Sequence, residues 1–329
     1  MREPRKRIVV VGGGTGSYTV LLGLKKLPVE LTAVVTMMDS GGSSGRLRDE
    51  LGQLPPGDVR QCLVALAPDD EASLVLRQLF SYRFRGGKNL DGHSFGNLFL
   101  SALAEVMGGM DRAILEAGRI LKIRGKVLPV TLNQTQLCAR LADGTTVVGE
   151  SSIDIRPQDQ TAPIDFVYLD PKACVYPLVA DELQQADVIV LGPGDLYTSI
   201  VPNLLVEGVA EGIRGSRARK VYVCNLMTKH GESDGFKASA FIKEMLAYLG
   251  SDSALDCAIV HEGALPEDLV ERYLAEEALP VEADLEACRA LVPRVLHRPL
   301  AHAGTLLRHD PDRLARAIVE AAGLKQGSG

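Results

Sequence analysis

A glycine run, Gly12-Gly13-Gly14-Thr15-Gly16-Ser17, stands directly after four apolar β-branched residues, Ile8 to Val11. Glycine lets a backbone come close to a ligand and take positive φ. A helix opening just after such a loop points its free N–H groups and its positive dipole end at whatever sits there. The chemistry suggested is anion binding, most simply the phosphates of a nucleotide. The spacing is Gly-x-Gly-x-Gly, which is neither the dinucleotide fingerprint nor a P-loop, since no Gly-Lys-Ser/Thr follows. Glycines of this kind also serve tight strand-to-helix turns that hold nothing.

Other polar groups recur in comparable settings. Asp39 lies a little over 20 residues past the first glycines, where an acid in dinucleotide folds accepts ribose hydroxyls; its alternative role is to cap its own turn. Ser43, Ser44 and Arg46 follow in a segment read as a glycine- and hydroxyl-rich loop, with the hydroxyls and forked guanidinium that suit a phosphate. Asp58, with Gln61 three residues on, reads first as a capping box and second as a catalytic acid. His93 lies in the loop Gly86–His93, where it could donate, accept or shuttle a proton, and Asn97 follows in the next helix. Gly192-Pro193-Gly194-Asp195, Asn225 with Thr228, and His230 with Glu232 each follow an apolar run. His261-Glu262 is a weaker candidate, and His297, His302 and His309 are expected at the surface. No zinc-ligand spacing and no nucleophile elbow is present.

These residues need a scaffold. Strands are predicted at about 8–11, 30–37, 187–191, 221–225 and 257–260, with helices at about 18–27, 58–67, 70–82, 97–107, 112–122, 178–185 and 204–214. A last helix starts at Asp310-Pro311, an N-cap followed by proline. Strand–loop–helix units at both ends predict an α/β fold: a doubly wound, mostly parallel, Rossmann-like three-layer sheet. Between about 126 and 168 the texture changes to short strands around the hairpin signal Asp143-Gly144, which predicts a small antiparallel β insertion in a single nucleotide-binding domain spanning 1–329. Ligands in such sheets sit beyond the carboxyl ends of the strands, and all the glycine-rich loops are expected there, converging on one crevice.

Composition narrows the function. The chain has 329 residues, 46% of them hydrophobic, and a net charge of −6 from 36 basic and 42 acidic side chains. That balance argues against nucleic acid as partner; Arg2, Arg5, Lys6 and Arg7 read as a solvated lead-in to the first strand. Six scattered cysteines without a Cys-x-x-Cys pair read as reduced, buried residues of a cytoplasmic protein. No signal peptide is visible, and no apolar run approaches the ~20 residues of a membrane span.

Taken in order, these blocks resemble the YvcK/CofD superfamily. The likeness rests on Val10–Gly16, Asp39–Arg48, Pro55–Arg60, Gly92–Asn97, Leu191–Ser199, Cys224–Thr228 and Gly231–Gly235, and covers about residues 7–322. It is nearer to the gluconeogenesis-factor (YvcK) branch than to the 2-phospho-L-lactate transferases of deazaflavin-cofactor synthesis (CofD). The first branch implies binding of UDP-sugars, notably UDP-N-acetylglucosamine, and a role in cell shape and wall synthesis. The second implies magnesium-dependent transfer of a phospholactyl group from a nucleoside-diphosphate donor. Both branches usually carry paired aspartates after the second strand; here the pair is Asp39-Ser40, which weakens magnesium-dependent chemistry more than nucleotide binding.

The resulting expectation is a UDP-sugar-binding regulator with no tightly bound cofactor, magnesium arriving at most with the nucleotide. Gly12, Gly13, Gly14, Thr15 and Gly16 would cradle the diphosphate. Asp39, Ser43, Ser44 and Arg46 would hold ribose or phosphate. His93, Asn97, Gly192, Pro193, Gly194 and Asp195 would complete the pocket, and Asn225 and Thr228 would face the base or sugar. In the transferase alternative Asp39 holds the metal and Asp39 and His93 are the catalytic pair. A nicotinamide oxidoreductase is the third reading, disfavoured by the glycine spacing. The partner expected is a nucleotide-sugar or nucleoside diphosphate, without nucleic acid or membrane insertion; a homodimer and an unidentified protein partner stay open.

Overall fold

The computed structural model describes residues 5–157, 160–304 and 306–324, so Arg2 lies outside the described residues. In chain order the elements are β1 (Lys6–Gly12), α1 (Gly14–Leu24), β2 (Val29–Val35), α2 (Gly42–Leu51), α3 (Gly57–Leu66), α4 (Glu71–Ser81), α5 (Phe95–Met107), α6 (Met110–Ile120) and β3 (Lys126–Pro129). Next come β4 (Gln136–Leu141), β5 (Thr146–Val148), α7 (Glu150–Asp154), β6 (Ile164–Asp170), α8 (Pro177–Gln185) and β7 (Val188–Leu191). A wide helical turn, Leu196–Ile200, leads into α9 (Val201–Leu204), α10 (Val209–Gly215), β8 (Arg219–Val223), α11 (Ala238–Leu249) and β9 (Cys257–His261). The chain continues through α12 (Glu267–Leu274), α13 (Leu285–Leu291), β10 (Val295–Arg298), β11 (Ala301–Ala303), β12 (Leu307–His309) and α14 (Pro311–Ala321).

Seven strands form one parallel sheet in the order β10-β9-β8-β7-β1-β2-β3. Ile8–Val11 and Val188–Leu191 are buried along their whole length, as expected of neighbouring central strands covered on both faces. α1, α3, α6 and α14 pack on one another as one helical layer, and α8, α10, α11 and α13 form another chain of contacts. The core is continuous through the sheet and both layers. At Gly23 of α1 an added Cβ would stand 2.0 Å from the Pro311 carbonyl oxygen, so α14 crosses α1 at backbone contact. Asp310 caps α14 by accepting from the Asp312 and Arg313 amides, as its sequence predicts.

The predicted parallel α/β sheet is present, with three local differences. The antiparallel insertion starts later than about 126, because β3 pairs in parallel with β2 at the edge of the main sheet. The insertion is the sheet β5-β4-β6 with α7, and Asp143-Gly144 turns its first hairpin, with Gly144 at φ +88°. The segment 42–46 is the first part of helix α2 rather than a loop. The glycine-rich stretch 86–93 joins α4 to α5 and so does not follow a strand. Five of the six cysteines are buried and Cys174 is exposed. Among the described residues no helix is long and apolar enough to cross a membrane.

Candidate functional site: a crevice at the switch point

From the adjacent pair β1 and β7 the sheet grows outward in opposite directions, and a crevice opens beyond their carboxyl ends. α1 starts here. A Cβ on Gly16 would lie 1.8 Å from the Pro193 carbonyl oxygen, so the first turn of α1 rests on the backbone of Gly192–Gly194. Gly16 is needed for that contact between chain segments. Beside it lies a cavity of about 610 Å³ with Thr15, Gly16, Gly194, Asp195, Asn225 and Thr228 among its lining residues. Its other walls come from the insertion (Asp154 to Pro157), the loop after β8 (Lys229 to Gly231), the end of α12, and Arg308 with His309 on β12. That volume falls within the ~300–1,000 Å³ usual for small-ligand sites.

Charge is concentrated in this crevice. Carboxylate oxygens of Asp154, Asp195 and Glu232 lie within 4.8 Å of one another. Lys229 Nζ is 2.9 Å from Asp154 Oδ1. Glu232 is buried and accepts from the Tyr197 amide (3.0 Å) and Thr198 Oγ1 (2.8 Å). Burial, with the Asp195 charge behind it, pushes the Glu232 carboxyl up to about 8. Burial also raises Asp195, against the pull of Lys229. Burial works against the Lys229 ammonium, but its bond to Asp154 and the charge of Asp195 outweigh that and hold its pKa up. Asn225 Oδ1 receives the Gly194 amide at 3.4 Å, and Thr228 Oγ1 receives the Leu279 amide at 2.8 Å, so both side chains brace the walls. Arg156 reaches the carbonyls of Ala162 and Gly231 and ties the insertion to the loop after β8.

His309, expected at the surface, is buried instead, because β12 folds back against the crevice. Burial drives its imidazole down to about 4, and its Nε2 has no hydrogen-bond partner among the described residues.

The remaining predicted residues form a separate, packed corner beyond β2. Asp39 Oδ1 accepts from the Gly41 amide at 2.9 Å, the turn-capping alternative. Ser43 Oγ meets His93 Nδ1 at 3.1 Å, and Asn97 Nδ2 donates to Ser44 Oγ at 3.3 Å. Arg60 Nε donates to Asn97 Oδ1 at 2.9 Å, and Arg46 reaches the Asp91 carbonyl at 2.7 Å. Burial, then the Arg46 charge, lowers the His93 pKa.

Asp58 does not cap α3, whose N-cap is Pro56. Its carboxylate turns to the first glycine loop: a Cβ on Gly13 would stand 2.5 Å from Asp58 Oδ2 and 2.7 Å from the Thr36 methyl, and one on Gly12 would be 2.8 Å from Ser17 Oγ. Gly14, at φ +52°, presents its amide to Asp58. A protein carboxylate therefore occupies the place at Gly13 and Gly14 expected for a phosphate, and of the first loop only Thr15 and Gly16 line the cavity. Burial, with Asp39 and Glu150 close by, lifts Asp58 well above the usual carboxylate range. Glu150 is pushed to about 7 by burial and by Asp39.

Of the predicted residues, the crevice thus gathers Thr15, Gly16, Pro193, Gly194, Asp195, Asn225 and Thr228. Asp39, Ser43, Ser44, Arg46, His93 and Asn97 sit in the packed corner. Sequence reasoning passed over Asp154, Lys229 and Arg308. Lys229 stands beside Thr228 in a loop already singled out, whereas Asp154 had no local signal.

Fold and crevice together define a doubly wound α/β protein whose pocket lies where the strand order reverses. A family profile described as 2-phospho-L-lactate transferase CofD matches residues 8–301. The chain is 43% identical over 319 residues to the gluconeogenesis factor of Halalkalibacterium halodurans, covering 96% of both chains. It is 38% identical over 318 residues to the gluconeogenesis factor of Bacillus subtilis, covering 96% of this chain and 98% of that one. A crystal structure of a Bacillus halodurans protein superposes with a TM-score of 0.91 at 42% identity, covering 96% of this chain and all of the other. The chain belongs to the CofD/YvcK family, and these relatives carry the gluconeogenesis-factor name.

Proposed function

We propose that this protein is a cytoplasmic gluconeogenesis factor that binds a UDP-sugar, with UDP-N-acetylglucosamine as the first candidate, and links that ligand to cell-wall synthesis and cell shape. The observation that carries the reading is the crevice: a cavity of about 610 Å³ at the β1–β7 switch point, with Lys229 and Arg308 on its walls. The diphosphate would lie against the start of α1 at Thr15 and Gly16 and draw Lys229 from Asp154. Arg308 would close on it from β12. The base or sugar would extend along Asn225 and Thr228. Two carboxylates and a glutamic acid beside the same cavity favour a ligand that brings hydroxyl donors as well as phosphate.

One observation favours the transferase alternative. Asp39, Asp58 and Glu150 crowd together, and mutual repulsion adds to burial in raising Asp58 and Glu150. A divalent cation relieves such repulsion, and in this reading Asp39 and Asp58 would hold it. Bound there, magnesium would supply charge neutralisation to a transferring phosphoryl group, while His93, held on Ser43, would stay neutral and orient that hydroxyl.

Calorimetry and thermal shift with UDP-N-acetylglucosamine, other UDP-sugars, GDP and NAD(P), with and without magnesium, test the two. A ligand stabilises the fold only where it binds the native state preferentially. Selective stabilisation by a UDP-sugar without turnover is the expected result. A magnesium-dependent preference for GDP, with turnover lost in Asp39→Asn, would replace the regulator by the transferase. The absence of any nucleotide-sugar binding would overturn the regulator outright.

A further inference from the structure

The opposite, amino-terminal edge of the sheet carries a second cavity, of about 640 Å³, at the starts of β1, β2 and β3. Six basic residues line it, Arg5, Arg7, Lys25, Lys26, Arg124 and Lys126, against two acids, Glu30 and Glu182. In a chain with net charge −6 this is a local reversal of sign. Four of the cations already have carboxylate partners: Arg7 with Glu30 (3.3 Å), Lys25 with Asp69 (2.9 Å), Lys26 with Asp312 (2.6 Å) and Lys126 with Glu182 (2.6 Å). Arg5 and Arg124 differ. Both are exposed, and neither side chain makes a hydrogen bond or ion pair among the described residues. Arg5 leads into β1 and Arg124 into β3, on either side of β2; Arg124 is in register with Arg7, so two inter-strand spacings and two residues along β1 set the backbones of Arg5 and Arg124 about 12 Å apart. Lys25, on the same cavity wall, is drawn under the surface, where burial lowers its pKa against the pull of Asp69 and the charges of Arg77 and Arg124 add to the lowering. A concave site with one sign of charge focuses its field on small counter-ions, and paired guanidiniums favour planar or tetrahedral oxyanions.

We propose that this cavity binds a small polyphosphate or doubly phosphorylated metabolite, with Arg5 and Arg124 each taking one anionic group across the start of β2. The site lies at the far end of the sheet from the switch-point crevice and does not depend on what that crevice holds.

Inorganic tripolyphosphate is the probe, titrated by calorimetry against sodium chloride at matched ionic strength, which removes simple screening as an explanation. Saturable binding at one site is expected, weakened at least tenfold in Arg124→Glu and in Arg5→Glu. Both side chains are exposed and make no hydrogen bond or ion pair among the described residues, so the variants should keep the melting temperature of the parent chain. Arg308→Ala, on the crevice wall, should leave the affinity within twofold. Three results would overturn the proposal: no saturable binding above the salt control, loss in Arg308→Ala with retention in Arg124→Glu, or equal loss in both, which would mean long-range charge alone.

Discussion

Two corners at the carboxyl edge of one sheet carry polar side chains of similar kinds, and they differ in what those groups face. Beyond β2, Ser43, Ser44, His93, Asn97 and Arg60 answer one another, and Asp58 fills the glycine turn of β1. Beyond β7 and β8, Asp154, Asp195 and Lys229 line open space, with Glu232 buried behind them. The first arrangement is a packed network that stiffens the fold. The second sets an ion pair and raised acids next to a cavity and is the one prepared to exchange partners with a ligand. Residue type alone does not separate them; the difference lies in which groups border open space.

The comparison breaks most visibly in the crevice wall, where α1 rests on the loop after β7. Gly16→Val would drive a side chain into the Pro193 carbonyl and should destabilise the fold by about 4 kcal/mol, read as a shift in denaturant midpoint. A loss under about 1 kcal/mol would mean that α1 and the Gly192–Gly194 loop slide freely. In the packed corner, Asn97→Ala strips Arg60 of its shorter hydrogen bond and should cost about 2 kcal/mol of stability. Crevice affinity, measured on the same sample, should stay within about twofold, because the cavity is untouched. A large affinity change there would erase the distinction between the corners.

Titration sharpens it further. With its carboxyl raised to about 8, Glu232 keeps its proton in the native state while the unfolded chain has lost it. The native state then binds more protons, so stability is fully present below the ordinary carboxylate range and declines as pH rises toward 8. The slope contributed is at most about 1.4 kcal/mol per pH unit. Glu232→Gln should flatten the decline between about pH 5 and 8 in urea melts; an unchanged slope would show that this carboxyl is ionised in the fold. The smallest effect is expected at the rim. Lys229→Met should weaken UDP-sugar binding about tenfold, near 1.4 kcal/mol, with little change in melting temperature, since its ion pair with Asp154 is partly exposed. Undiminished affinity would remove Lys229 from the phosphate.

Much of the architecture was legible in the chain because parallel sheets leave a strong local mark. Ile8–Val11 and Val188–Leu191 are apolar throughout, and Asp310-Pro311 announces the last helix. Edge strand β3 was misassigned because Val127–Thr131 is short and its partner, β2, lies some 90 residues earlier. In the site, glycine loops marked the switch point, yet they could not reveal that Asp58 fills the turn at Gly13. That depends on how α3 is set against α1, a tertiary fact with no local trace. Asp154 and His309 were hidden for the same reason: each reaches the crevice on a segment, the insertion or β12, that comes from far away in sequence.

The crossing of α1 by α14 has a consequence for synthesis. In synthesis α1 emerges nearly 300 residues ahead of the helix that packs on Gly23. At ~5–20 residues per second, the face of α1 around Gly23 waits on the order of 15–60 s for its cover. During that interval the nascent chain presents a partly built α/β half with an open flank, the stage at which a chaperone holding that flank would matter most.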